Sequence, residues 1–149
     1  MKKVLIIAFA FIALACGPDA KRPMVDEAVT QKVLDHHIKT FQQNDLDGVM
    51  EDYTEESILI TPDRTYKGLA EIRENFVQAY KALPANGTTM TLTKSVVVRD
   101  VAYIVWKAVT PTLDFKYATD TFIIADGKII SQTFAGDIVP LTAQATPAE

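Results

Sequence analysis

Apolar residues in the first half of the chain recur with a helical period, whereas in the second half they alternate. Over residues 25–44, Leu34, Ile38 and Phe41 fall at helical spacing and predict a first helix. Asn44 and Asp45 interrupt it, and either can cap the next helix, because a short polar side chain there accepts from free backbone N–H groups. Leu46, Val49, Met50 and Tyr53 then form a stripe along one face of a short second helix. Residues 57–61 alternate around Ile58 and Ile60 and read as a strand stopped by Pro62, which has no N–H to give a ladder. A third helix is predicted over 68–83, with Leu69, Ile72, Phe76, Tyr80 and Leu83 on one face and Pro84 after it.

The remainder reads as sheet. Asn86-Gly87 marks a turn. Residues 88–98 are rich in Thr and Val, with Met90, Leu92, Val96 and Val98 expected on one side. Three further strands are predicted over 101–109, 115–125 and 128–138. Asp126-Gly127 joins the last two as a hairpin, since a tight turn of that type needs positive φ at both central positions. Helices grouped before a run of antiparallel strands give an α+β fold, with the helices on one face of the sheet.

The N-terminus carries an address. Lys2 and Lys3 precede a stretch from Val4 to Ala15 without a polar side chain, the pattern of a secretory signal. That stretch is too short to span a hydrocarbon core, which takes roughly 20 residues. Ala13-Leu14-Ala15-Cys16-Gly17 resembles bacterial lipoprotein signals, in which the Cys becomes the lipidated first residue. It departs from them in placing Ala13 where Leu is usual. Cys16 is the only cysteine, so no disulfide is available to it. The expected organisation is a signal peptide over 1–15, a lipidated tether over 16–24, one domain over 25–139 and a flexible tail over 140–149. By the same resemblance, Gly17 in place of Asp directs the protein to the outer membrane, facing the periplasm, if the cell is Gram-negative. Several acyl chains would hold it firmly, at about 0.8 kcal/mol for each buried methylene. Loss of Lys2 and Lys3 takes the formal charge from −4 to −6. An acidic domain has no electrostatic footprint for nucleic acid.

The stretches NDLDGVMEDYTEESILITPD, YKGLAEIRENF and YATDTFIIADGKIISQTF, in this order, resemble the nuclear transport factor two-like superfamily. That superfamily includes ketosteroid isomerase and the SnoaL-like polyketide cyclases. The resemblance implies a strongly curved, cone-shaped sheet wrapped around three helices, an apolar pocket, and a homodimer formed through the outer face of the sheet. In the steroid isomerase pattern the base is an Asp before a Pro at the end of the first strand; here that place is Thr61, before Pro62. A threonine hydroxyl is no base near neutral pH. One oxyanion donor, a Tyr of the first helix, corresponds to His37. The other, an Asp on the third long strand kept protonated by apolar surroundings, is matched by Asp120. One of three positions survives, which excludes a steroid isomerase of the usual kind.

His37 and Asp120 are therefore the candidate catalytic pair. His37 falls on the core-facing side of its helix, with a side chain suited to titration near neutrality, while His36 is expected toward solvent. Adjacent helical residues diverge by about 100°, so the two histidines are not expected to share a partner. Asp120 alternates with Ala118, Phe122 and Ile124 on one strand face, and counting back from the Asp126-Gly127 turn places Thr133 opposite it. Tyr53, Thr61, Phe76, Tyr80, Trp106, Phe122 and Thr133 are the expected pocket lining. Asp63 is a substitute base or a turn cap, and the acidic run Glu51, Asp52, Glu55, Glu56 reads as a solvated face. No HExxH, paired CxxC, GxSxG or phosphate-cradling glycine loop occurs, so no metal or cofactor is implied. Three functions remain: binding a small apolar or amphiphilic molecule without chemistry, cofactor-free proton transfer through His37 and Asp120, or a non-catalytic dimeric envelope protein.

Overall fold

A computed structural model describes residues 26–141. The expected signal segment, Cys16, the expected tether and most of the expected tail lie outside the described residues. Three helices come first: α1 (Glu27–Gln42), α2 (Leu46–Met50) and α3 (Gly68–Ala82). Asp26 caps α1 by accepting from Ala28 N–H at 2.9 Å, and Asp45 caps α2 by accepting from Gly48 N–H at 2.9 Å. Between them Asn44 takes a φ of 53°, tolerated there because a short polar side chain can bond locally. Its amide donates to Leu83 O at 3.1 Å and its Oδ1 accepts from Ala85 N–H at 2.6 Å, tying the α1–α2 corner to the end of α3.

The strands are β1 (Ile58–Ile60), β2 (Thr65–Lys67), β3 (Thr89–Val98), β4 (Val101–Val109), β5 (Leu113–Ala125) and β6 (Lys128–Pro140). They form one curved sheet in the order β2-β1-β6-β5-β4-β3. All neighbours are antiparallel except β1 and β6, which run parallel. That makes the sheet mixed, where the sequence led us to expect antiparallel pairing throughout. The strand β2 is not predicted by the sequence, because three residues directly before a helix carry no readable alternation. Gly68 opens α3 at a φ of +72°, and a Cβ there would come within 3.1 Å of the Glu55 carbonyl oxygen. The positive φ favours glycine, and a side chain there would also press on Glu55.

Three bulges set which side chains face the helices. In β3 the register shifts between Leu92 and Lys94, so beyond it Val97 turns inward while Val96 and Val98 are exposed. The expected one-sided row of Met90, Leu92, Val96 and Val98 is thus broken by one extra residue. In β5 a shift between Phe115 and Tyr117 lets both Phe115 and Ala118 be buried. The third matters most. Ile124 pairs with Ile129, but Ile123 pairs with Ser131, leaving Ile130 as the additional residue of β6. A one-residue slip exchanges the faces of every following side chain.

The core lies between the helices and the concave side of the sheet, with Leu34, Val49, Leu59, Ile72, Phe122 and Ile129 almost fully covered. Ser57, completely buried, fastens β1 beside β6: its hydroxyl donates to Ile129 O at 2.6 Å and accepts from Thr54 N–H at 2.8 Å. Leaving such partners unsatisfied costs about 1–3 kcal/mol.

Candidate functional site

The helices do not fill the concave face. A cavity of about 540 Å³ opens between α1, α3 and the sheet, within the range of small-molecule sites. Its floor is made by buried His37, Asp120, Phe122 and Gln132, and its mouth by more exposed Pro62, Asp63, Leu113 and Ile138. The walls are largely aliphatic and aromatic. Phe41 of α1 and Phe76 of α3 lie 6.2 Å apart, ring to ring, and Trp106 stacks on Phe115 at 5.6 Å.

Asp120 is 6% exposed, in a strand face whose other members are Ala118, Phe122 and Ile124. Trp106 Nε1–H donates to its Oδ2 at 2.8 Å, and Gln132 Nε2–H donates to its Oδ1 at 2.8 Å. The Gln132 carbonyl oxygen in turn accepts from the buried Tyr53 hydroxyl. Burial raises the Asp120 pKa above the ordinary carboxylate value, because the charged form loses its water; the Trp106 and Gln132 hydrogen bonds and the charge of nearby His37 pull the other way. Burial also raises the Tyr53 hydroxyl well above its usual range, with Asp120 and Asp52 adding to the effect.

The second polar group is built on Asp52. His36 Nδ1 lies 2.8 Å from its Oδ1 and His37 Nδ1 lies 3.2 Å from its Oδ2. A carboxylate offers only acceptors, so each imidazole presents Nδ1–H to it. That leaves the His37 Nε2 lone pair without a protein partner among the described residues. The His37 ring is held edge-on against Phe122, Tyr53 and Phe76 at 5.1, 5.8 and 5.8 Å. His37 is 4% exposed and Asp52 5%, whereas the side chain of His36 is 40% exposed.

The geometry corrects several expectations. Asp52 is no part of a solvated face: Ile129 N–H donates to its carbonyl at 2.8 Å and pulls it under the sheet. The two histidines do share a partner, because one carboxylate has two oxygens and bridges the angle between them. Thr133 is exposed and pairs with Thr121; the extra Ile130 brings Phe134 opposite Asp120 and turns Gln132 inward. Thr61, Phe76, Trp106 and Phe122 do line the cavity. Tyr53 stands behind Gln132 and acts through it, while Tyr80 packs outside the wall on Phe41 and Phe76, its buried hydroxyl unpartnered. Thr61 closes a turn, donating to Arg64 O at 3.1 Å and accepting from Arg64 N–H at 3.2 Å. Among the described residues no three His, Cys, Asp or Glu side chains converge to hold a metal ion.

Helices laid into a curved mixed sheet, with a pocket whose polar groups gather at its floor, define the nuclear transport factor two-like class. A family model for the SnoaL-like domain matches residues 34–132. The chain belongs to that family. No curated protein matches it. Similar solved structures include one from Sinorhizobium meliloti provisionally described as a polyketide cyclase, 20% identical, covering 74% of this chain and 99% of that one, with a TM-score of 0.61. Another, from Kribbella flavida and provisionally described as a ketosteroid isomerase, is 12% identical over 83% of this chain and 87% of that one, TM-score 0.63. A de novo designed protein with a curved sheet reaches a TM-score of 0.64 at 12% identity, covering 75% of this chain and 88% of its own. At these identities the likeness establishes the fold alone.

Asp120→Asn can keep the same neighbours in contact, since a turned Gln132 amide accepts from the new amide and donates to the Tyr53 oxygen, whose own proton then loses its acceptor. A carboxyl whose pKa is raised by folding stabilises the fold while protonated, and that contribution is lost as pH climbs from the unfolded value through the raised one. The difference in unfolding free energy, wild type minus Asp120→Asn, should therefore fall across that window and level off above it. Denaturation at a series of pH values checks this; a difference independent of pH would contradict it.

Proposed function

We propose that this SnoaL-like domain is a binding module, holding a small apolar or amphiphilic molecule in its cavity while lipid on Cys16 keeps it in the cell envelope. The supporting observation is the open, aromatic-walled cavity of about 540 Å³ whose hydrogen-bonding groups lie at its floor. Such an arrangement buries an apolar body and orients one polar end. The lone Cys16 after a short apolar signal supports the tether, and in a Gram-negative cell the outer membrane facing the periplasm. Exposed Val98, Val109 and Tyr117 supply apolar area on the sheet for pairing of two copies.

A second reading, cofactor-free proton transfer, is favoured by the Asp52–His37 pair, in which a carboxylate holds Nδ1 of an imidazole that lines the cavity. Asp120 is the partner acid in that reading, as in an isomerase, cyclase or dehydratase. The two readings part on turnover: His37→Gln abolishes it under the second, whereas under the first neither the wild type nor the variant shows any.

Two measurements test the proposal. Nile red, a neutral apolar dye, should gain fluorescence on a soluble form spanning residues 22–149. Ala79→Trp, which fills the cavity from α3, should weaken that binding at least about tenfold, a loss of roughly 1.4 kcal/mol; equal binding by both proteins would place the dye elsewhere. For the tether, radiolabelled palmitate should be incorporated into the full chain and not into Cys16→Ser, and labelling of both would rule out Cys16 as the lipidated residue.

A further inference from the structure

The cavity wall holds two carboxylates, Asp63 at the mouth and Asp120 at the floor, and neither lysine nor arginine. Asp120 takes its two hydrogen bonds from neutral donors, the Trp106 indole and the Gln132 amide. Among the described residues no cationic side chain is within ion-pair distance of it. The imidazole beside it, His37, has its Nδ1 on Asp52 at 3.2 Å. A buried carboxylate without a positive partner is costly; a proton relieves that cost, and so does a cation that gives up its own water to join it.

The surroundings suit a cation as well. Trp106 stacks on Phe115 at 5.6 Å and has Phe134 at 6.2 Å, while Phe122 lies against His37 at 5.1 Å. A ring face left open to the cavity attracts an ammonium group, most strongly where water is excluded. The same wall offers a carboxylate or phosphate no lysine or arginine, and the chain as a whole is negative, at −4.

We propose that the ligand carries a protonated amine on an apolar body, with the ammonium against Asp120 and the body along the aromatic wall. This inference rests on the pocket reading above and narrows it. The wall carries no lysine or arginine to pair with a fatty acid or another anionic amphiphile. Neutral alcohols find an acceptor at the floor but leave the carboxylate unpaired.

Three isosteric probes decide the matter: 1-adamantanemethylamine, 1-adamantanemethanol and 1-adamantanecarboxylate. They are titrated into the full chain in phospholipid nanodiscs, and the emission of Trp106, the single tryptophan, reads occupancy at the floor itself. Asp120→Asn in the same nanodiscs corrects for partition into lipid. The amine should bind at least about tenfold more tightly than the alcohol, the carboxylate more weakly than either, and Asp120→Asn should abolish the preference. Glu56→Gln, at an exposed carboxylate outside the cavity lining, should leave it in place. Equal affinity for amine and alcohol would overturn the amine inference while sparing the pocket. A preference that survives Asp120→Asn would also overturn it. No response to any probe would overturn both, and the comparison among probes on the unaltered chain stands even where a variant fails to fold.

Discussion

The carboxyl of Asp120 has to be carried inside an apolar strand face, and much of the site is arranged to make that tolerable. Its neighbours along the face are Ala118 and Phe122, which offer no hydrogen bond. Relief comes from across the sheet, by Trp106 on one side and Gln132 on the other, each at 2.8 Å. Two neutral donors satisfy its oxygens without neutralising its charge, so burial still dominates and the pKa rises. A core built for packing alone would place an aliphatic residue there at no such cost. Asp120 is also one of the residues that line the cavity.

A short backbone segment organises both polar groups at the floor. Asp52 gathers the two histidines of α1, and the next residue, Tyr53, supports Gln132 and through it Asp120. Both are positioned by the start of β6: Ile129 N–H holds the Asp52 carbonyl, and Ile129 O receives the Ser57 hydroxyl. One backbone unit thus fixes the segment at both ends. The bulge at Ile130 immediately afterwards brings Gln132, not Thr133, to the floor. Fold and site therefore share a few residues, and a change at Ser57 or Ile130 would reach the cavity as well as the core.

The helices and long strands were legible because each presents one apolar face with a clear period, and the Asp126-Gly127 turn announced its hairpin; Asp126 and Gly127 indeed take φ of 51° and 72°. His37 and Asp120 were legible because a polar residue in an apolar row stands out against its neighbours. Gln132 and Asp52 were not. Gln132 becomes inward only through a bulge, which changes parity without leaving a mark such as glycine or proline in the sequence. Asp52 lies in an acidic run whose other members are exposed, and its burial depends on a backbone bond from a strand far along the chain. The parallel pairing of β1 with β6 was hidden for the same reason, since it joins segments distant in sequence by register alone.

The most direct test of the site's electrostatics is the titration of the Asp120 side chain itself, followed by the 13C shift of its carboxyl carbon in the folded protein without ligand. The dominance of burial over the two hydrogen bonds predicts a midpoint above the ordinary carboxylate range. A midpoint at or below that range would contradict it, showing that Trp106, Gln132 and His37 outweigh desolvation and that the floor is already electrostatically complete without a ligand.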